Sequence, residues 1–139
     1  MRASAEVLAV WDRARRSLKS AEGLVYSDPD SSTSRAYYAA FHGVSALFLL
    51  EGQSFKKHSG VEVAVHRDLV NTGRWEKSLG ADYTALKGSR AVGDYGGATR
   101  IREAEAADAV ERATRVLEAV RVAYPDVFEW LEAEPEPQS

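Results

Sequence analysis

Two side chains in the stretch SRAYYAAFH, residues 34–42, can do chemistry: Arg35 and His42. An imidazole ordinarily titrates near neutral pH and can take a proton from a hydroxyl. A guanidinium keeps its charge and forks onto phosphate oxygens. Seven helical steps put the two on nearly the same face, two turns and about 10 Å apart. They are then too far apart to touch, yet both reach one phosphate or one neighbouring helix. The Ala, Tyr and Phe residues around them suggest a buried helix, where a polar group is costly unless it is hydrogen-bonded. A structural or interface role for Arg35 and His42 is the expectation, with a catalytic pair as the alternative.

A second constellation is His58, Glu62 and His66, four apart and on one face of a helix. Two imidazoles and a carboxylate can bind zinc or iron. His58 falls at the helix start, where it can serve the turn, no fourth ligand accompanies the three, and the repeated Glu-x-x-His of di-iron bundles is absent. Capping and solvated roles are expected here, with no metal and no cofactor.

Elements of ordinary size must position these residues. The chain has 139 residues, 45% of them hydrophobic and 28% charged, which fits one domain with a core of its own. There are no cysteines, which excludes disulfide frameworks and thiolate zinc sites. No charged-then-apolar leader is read at the start. The longest apolar run, GVSALFLL at 43–50, is far shorter than the roughly 20 residues a spanning helix needs. A cytoplasmic protein is expected.

Net charge is −3, and the closing LEAEPEPQS carries Glu132, Glu134 and Glu136. Residues 1–131 are thus close to neutral and form the expected domain, with 132–139 as a flexible acidic tail. Between 56 and 102 nine Lys/Arg face five acids, a mildly basic middle that permits RNA or nucleotide contact.

Val7, Trp11, Ala14, Leu18, Ala21 and Val25 recur at alternating spacings of four and three, predicting a helix over about 4–25 with Ser4 as its cap. Pro29 and the Asp/Ser cluster at 27–32 break the chain. A second helix over about 31–51 is apolar almost all round and belongs at the centre of a bundle or at an interface; Gly52 stops it. Ser59 and Glu62 have capping-box spacing for a third helix, which Gly73 closes. A fourth helix is expected over 75–92, with Gly80 and Gly88 lowering its regularity, then a kink at VGDYGG. The fifth covers about 100–123, Pro125 ends it, and DVFEWL docks behind. No strand signal and no repeat is present, so the fold class is all-α, an up-and-down bundle of four to five helices.

SRAYYAAFHGVSALFLLEGQSFKKHSGV, followed by RAVGDYGG, resembles the HEPN family of small helical domains over roughly residues 4–125. The resemblance implies a helical bundle that dimerises, and for stand-alone members a minimal nucleotidyltransferase partner in a toxin–antitoxin pair. In active members an Arg followed after four to six residues by His makes a metal-independent RNase site. In some pairs the transferase adenylylates a tyrosine near that motif.

By this resemblance the motif position falls on Arg90. Where His would stand, after four intervening residues, this chain has Tyr95, preceded by Asp94. A phenol of ordinary pKa about 10 and a carboxylate of about 4 are both poor bases at neutral pH. Arg90, Asp94 and Tyr95 are therefore the candidate catalytic or remnant cluster, Arg90 and Lys87 the candidate phosphate contacts, and Tyr95 the candidate AMP acceptor. Alternatively Arg90 and Asp94 form a helix-surface ion pair. The altered motif favours a partner subunit contacting RNA or nucleotide over an active RNase toxin. A stand-alone nucleotide-binding module is the third alternative, although GDYGG lacks the Lys-Ser/Thr of a phosphate loop.

Overall fold

In the computed structural model, which describes residues 3–95 and 100–130 without the side chains of 93–95, Ser4 caps the first helix as its position suggests. Its hydroxyl accepts from the Val7 amide at 3.2 Å, and α1 runs Ala5–Leu24. The stripe from Val7 to Val25 is buried at all six positions. Asp28 then caps α2 (Pro29–Leu50) by accepting from the Ser31 amide, with Pro29 in the first turn, where its missing N–H costs nothing. This helix starts two residues earlier than expected because Pro29 begins the helix instead of breaking it. Gly52, at φ +89°, ends it in the left-handed region that suits glycine.

The third helix differs more. It covers His58–Ala64 as α3 and continues as a π-helical stretch over Val65–Val70. Lys57 occupies the cap without a side-chain hydrogen bond, so the Ser59–Glu62 capping box does not form. The Glu62 carboxylate instead accepts from Lys87 at 2.9 Å, across to α4. Helix α4 spans Lys77–Tyr95, past the expected end at 92, and α5 spans Glu103–Ala123. Gly80 does not interrupt α4, because it is there for space. A Cβ at that position would stand 2.8 Å from Val70 Cγ2 and 3.1 Å from the His66 ring. Residues 92–95 of the stretch expected to kink, 92–97, continue α4 instead; residues 96–97 and the acidic tail at 132–139 lie outside the described residues.

The result is an all-α bundle of five helices, with no strand among the described residues. Helix α2 lies at its centre and packs against α1, α4 and α5. Ala36, Ala39, Ala40, Gly43 and Ala46 are all buried there, small enough to let the neighbours approach. Even one more methyl at Gly43 would run into Leu117 of α5. The buried hydroxyls of Ser32 and Thr33 donate to the carbonyls of Ala21 and Pro29, so neither is left unsatisfied. Behind α5, Phe128 is fully buried against Trp11, whose indole donates to the Glu129 carbonyl at 2.9 Å.

One ionic junction locks α4 to α5. Asp82 is only 4% exposed, and its carboxylate accepts from Arg112 at 3.0 Å and twice from Arg115 at 2.9 Å. A buried charge-assisted bond contributes about 1.5–3 kcal/mol, but here the Arg112 and Arg115 side chains remain 30% and 50% exposed, so the three bonds together fall well short of their sum. Exposed ion pairs on one helix contribute only a few tenths. Asp82→Ala should therefore lower the unfolding free energy by about 2–3 kcal/mol, against less than about 1 kcal/mol for Asp108→Ala, as read from urea denaturation midpoints.

Candidate functional site

Helix α2 is enclosed except along one strip. Ser31, Ser34, Tyr38, Phe41 and His42 are partly uncovered and Arg35 is exposed, at the i, i+3, i+4 spacing of a single face. Arg35 therefore needs no buried partner. It lines an open hollow of about 280 Å³ together with Asp30, Ser31, Ser34 and Tyr38. The Asp30 carboxylate is engaged by the Ile101 amide at 2.9 Å, which ties the segment before α5 to this end of α2.

Arg90 reaches the same strip from the end of α4. Its Nη2 donates to the Tyr38 hydroxyl at 3.1 Å. Its guanidinium carbon lies 5.5 Å from the centre of the Tyr37 ring and 5.4 Å from that of Tyr38, within cation–π range. Beneath it, Tyr37 and Tyr83 are fully buried and meet edge to face at 6.1 Å. Burial pushes both phenols above their ordinary value, so neither is an anion near neutral pH. Lys87, one turn before Arg90, is engaged by Glu62. Asp94 and Tyr95 close α4 as backbone, and their side chains lie outside the described residues.

His42 is one turn beyond Tyr38, its ring near-parallel to the phenol at 6.1 Å. Burial, and after it the charges of Arg13 and His58, push its pKa from the ordinary 6.5 down to about 4. The ring is neutral at physiological pH. His58 is exposed and lies over Phe41, with ring centres 4.1 Å apart, and it meets Tyr38 edge to face at 5.9 Å.

The strip thus joins what the sequence presents as separate pairs. Tyr38 meets Arg90 through its hydroxyl and ring, lines the hollow with Arg35, and stacks near His42. Sequence reasoning missed Tyr38, Phe41 and the ring contact of His58. The signal was present, since Tyr38 stands three after Arg35 and four before His42. The His58–Glu62–His66 triplet does not converge: Glu62 turns to Lys87 and His66 Nε2 lies 2.9 Å from the Thr84 hydroxyl. Among the described residues no three His, Cys, Asp or Glu side chains are grouped to hold a metal.

Against known proteins, the model of the HEPN domain matches residues 7–123. A "UPF0332 protein" of Thermotoga maritima is 37% identical over 124 residues, covering 88% of this chain and 94% of the relative. A protein of Methanocaldococcus jannaschii named "Putative toxin" is 30% identical over 107 residues, 76% of this chain and 73% of its own length. A second protein of that name and organism is 34% identical over 94 residues, 65% of this chain and 68% of the relative.

The His42 environment has a measurable sign. Its folded pKa lies below the ordinary one, so the stabilisation from keeping the ring neutral is complete above about pH 6.5 and is lost as pH falls toward 4. In an NMR titration the His42 ring should turn over near 4. His42→Gln should lose less stability than the wild type between pH 6.5 and 4. A His42 midpoint above 6 would refute the buried, cation-flanked placement.

Proposed function

The chain belongs to the HEPN family, and on that premise we propose that it is the toxin-side or partner subunit of a nucleotidyltransferase pair, contacting RNA or nucleotide phosphate through Arg90. Its relatedness to two proteins named "Putative toxin" supports the pairing. The observation that carries the contact is the setting of Arg90. A phenol hydroxyl and two ring faces hold its guanidinium at the uncovered strip of α2. A fixed guanidinium binds phosphate with less loss of side-chain freedom than a mobile one. Arg35 adds a second cation along the strip, and Lys87 stands one turn before Arg90 as a further contact if its pair with Glu62 opens.

In this reading the protein acts as a homodimer, and the RNase motif is altered by Tyr95. His42 does not restore it, because a ring that binds its proton only near pH 4 is a weak base at neutral pH. Tyr95 is the acceptor for AMP: its phenol oxygen bonds to the α-phosphorus of ATP as the bond from that phosphorus to the bridging oxygen breaks, pyrophosphate leaves and the phenol proton passes to solvent, with the partner transferase as catalyst.

The test is incubation of the purified protein with mixed single-stranded RNA in EDTA, scoring both retention on a filter and cleavage. The wild type should bind without cutting, and Arg90→Ala should weaken retention by about tenfold or more. Cutting that disappears in Arg90→Ala would establish an active RNase instead. Cutting lost in His42→Ala alone would move the chemistry to α2. No retention by a folded protein would remove the RNA-contacting reading altogether.

A further inference from the structure

The ring pair of Phe41 and His58 has no part in holding Arg90. It lies at the outer edge of the aromatic cluster, joining α2 to the start of α3, and its outer member is exposed. A histidine that serves only to fill the core would be buried with its nitrogens satisfied. Here the ring is set instead against a phenylalanine at 4.1 Å, with a tyrosine edge 5.9 Å away. The surroundings are cationic. Lys56 and Lys57 are exposed just before His58, Arg13 acts on His42 from α1, and Arg35 and Arg90 lie along the strip. The carboxylates of Asp30 and Glu62, on the helices that bear the two rings, are engaged by the Ile101 amide and by Lys87.

We propose that the His58–Phe41 pair is a stacking subsite for an unpaired nucleobase of single-stranded RNA, a proposal that rests on the RNA-contacting reading above. Aromatic faces interleaved with cations are how proteins hold single strands, because every base offers a π-face and every linkage a negative charge. The bases of a duplex have their faces taken by their neighbours, so such a platform admits only an unstacked base. Tyr38 connects the platform to the hollow at Arg35, whose Ser34 hydroxyl and guanidinium suit the sugar and phosphate of the same strand, the Ser31 hydroxyl being held by Asp28 at 2.6 Å. A second copy of this chain fits the strip less well. A two-fold contact centred here would bring two cation-bearing strips together, and like charges in apposition are repulsive.

The experiment uses the full chain and a twelve-residue oligouridylate carrying one central 2-aminopurine, whose fluorescence falls when it stacks. The wild type should quench this base on binding and should prefer the single strand to the same oligomer in a duplex. His58→Ala combined with Phe41→Leu, which keeps the half-buried position apolar, should lose most of the quenching and bind about tenfold more weakly. His58→Phe should keep both. Wild-type binding that is unchanged in the double variant, or not quenched at all, overturns the subsite while leaving the RNA reading intact. No binding by the wild type removes that reading and the subsite with it. A double variant that changes mass in sedimentation, with RNA binding unaltered, makes the ring pair a subunit contact and overturns the proposal.

Discussion

The structure depends on enclosing α2. A helix surrounded by α1, α4 and α5 buries its side chains on nearly every side, with Tyr37, Leu47 and Phe48 filling space where small residues at Ala36, Ala39, Ala40, Gly43 and Ala46 let the neighbours come close. Where Gly43 faces Leu117, even a methyl group has no room. Packing this close gains dispersion and apolar burial at the expense of tolerance, since interiors at crystal-like density cannot absorb added volume cheaply. The ionic lock at Asp82 and the clamp of Glu51 by Arg74 and Tyr124 then fix the surrounding helices in one arrangement.

The same enclosure selects the site. Because three helices take three sides of α2, what remains is one strip at helical spacing, and that strip carries Arg35, Tyr38 and His42 where the enclosed faces are mostly apolar. A cation from α4 meets it at Tyr38, and an exposed ring from α3 meets it at Phe41. The cluster is therefore a product of packing geometry: residues 52 positions apart in the chain are joined by a hydrogen bond because α4 is docked against α2.

Much of this was legible in the sequence. The buried stripe of α1 and its Ser4 cap follow from spacing and cap chemistry alone, as does the central place of α2. The start of α2 was misplaced by local chemistry, Pro29 opening the helix behind the Asp28 cap, but two other misreadings share one cause, competition from tertiary contacts. Ser59 and Glu62 have the right spacing for a local capping box, but Lys87 offers Glu62 a charged partner across the helix interface, and the helix begins at His58 without the box. Gly80 counts against a helix by propensity, yet it is the residue that lets α4 lie against Val70 and His66. For the site, spacing places Arg35, Tyr38 and His42 on one face. It carries no information about which helix supplies their partners, so the meeting of Arg90 with Tyr38 was beyond it.

Electrostatics gives the strip its chemical character. The groups around Arg90 hold charge and shape in place and are poor at exchanging protons at neutral pH. The Tyr37 and Tyr83 phenols, protonated at neutral pH like any tyrosine, are pushed still higher by burial, and His42 is kept neutral by burial and by the field of Arg13 and His58. A general base works best when its pKa lies near the working pH, and His42, near 4, accepts a proton about as weakly as a carboxylate does. Low polarity beneath the rings has the opposite effect on Arg90. A guanidinium remains charged through any accessible pH, and its attraction for a phosphate grows as the local dielectric falls. The α2 strip thus sets a weakened base at His42 beside a cation held on ring faces at Arg90.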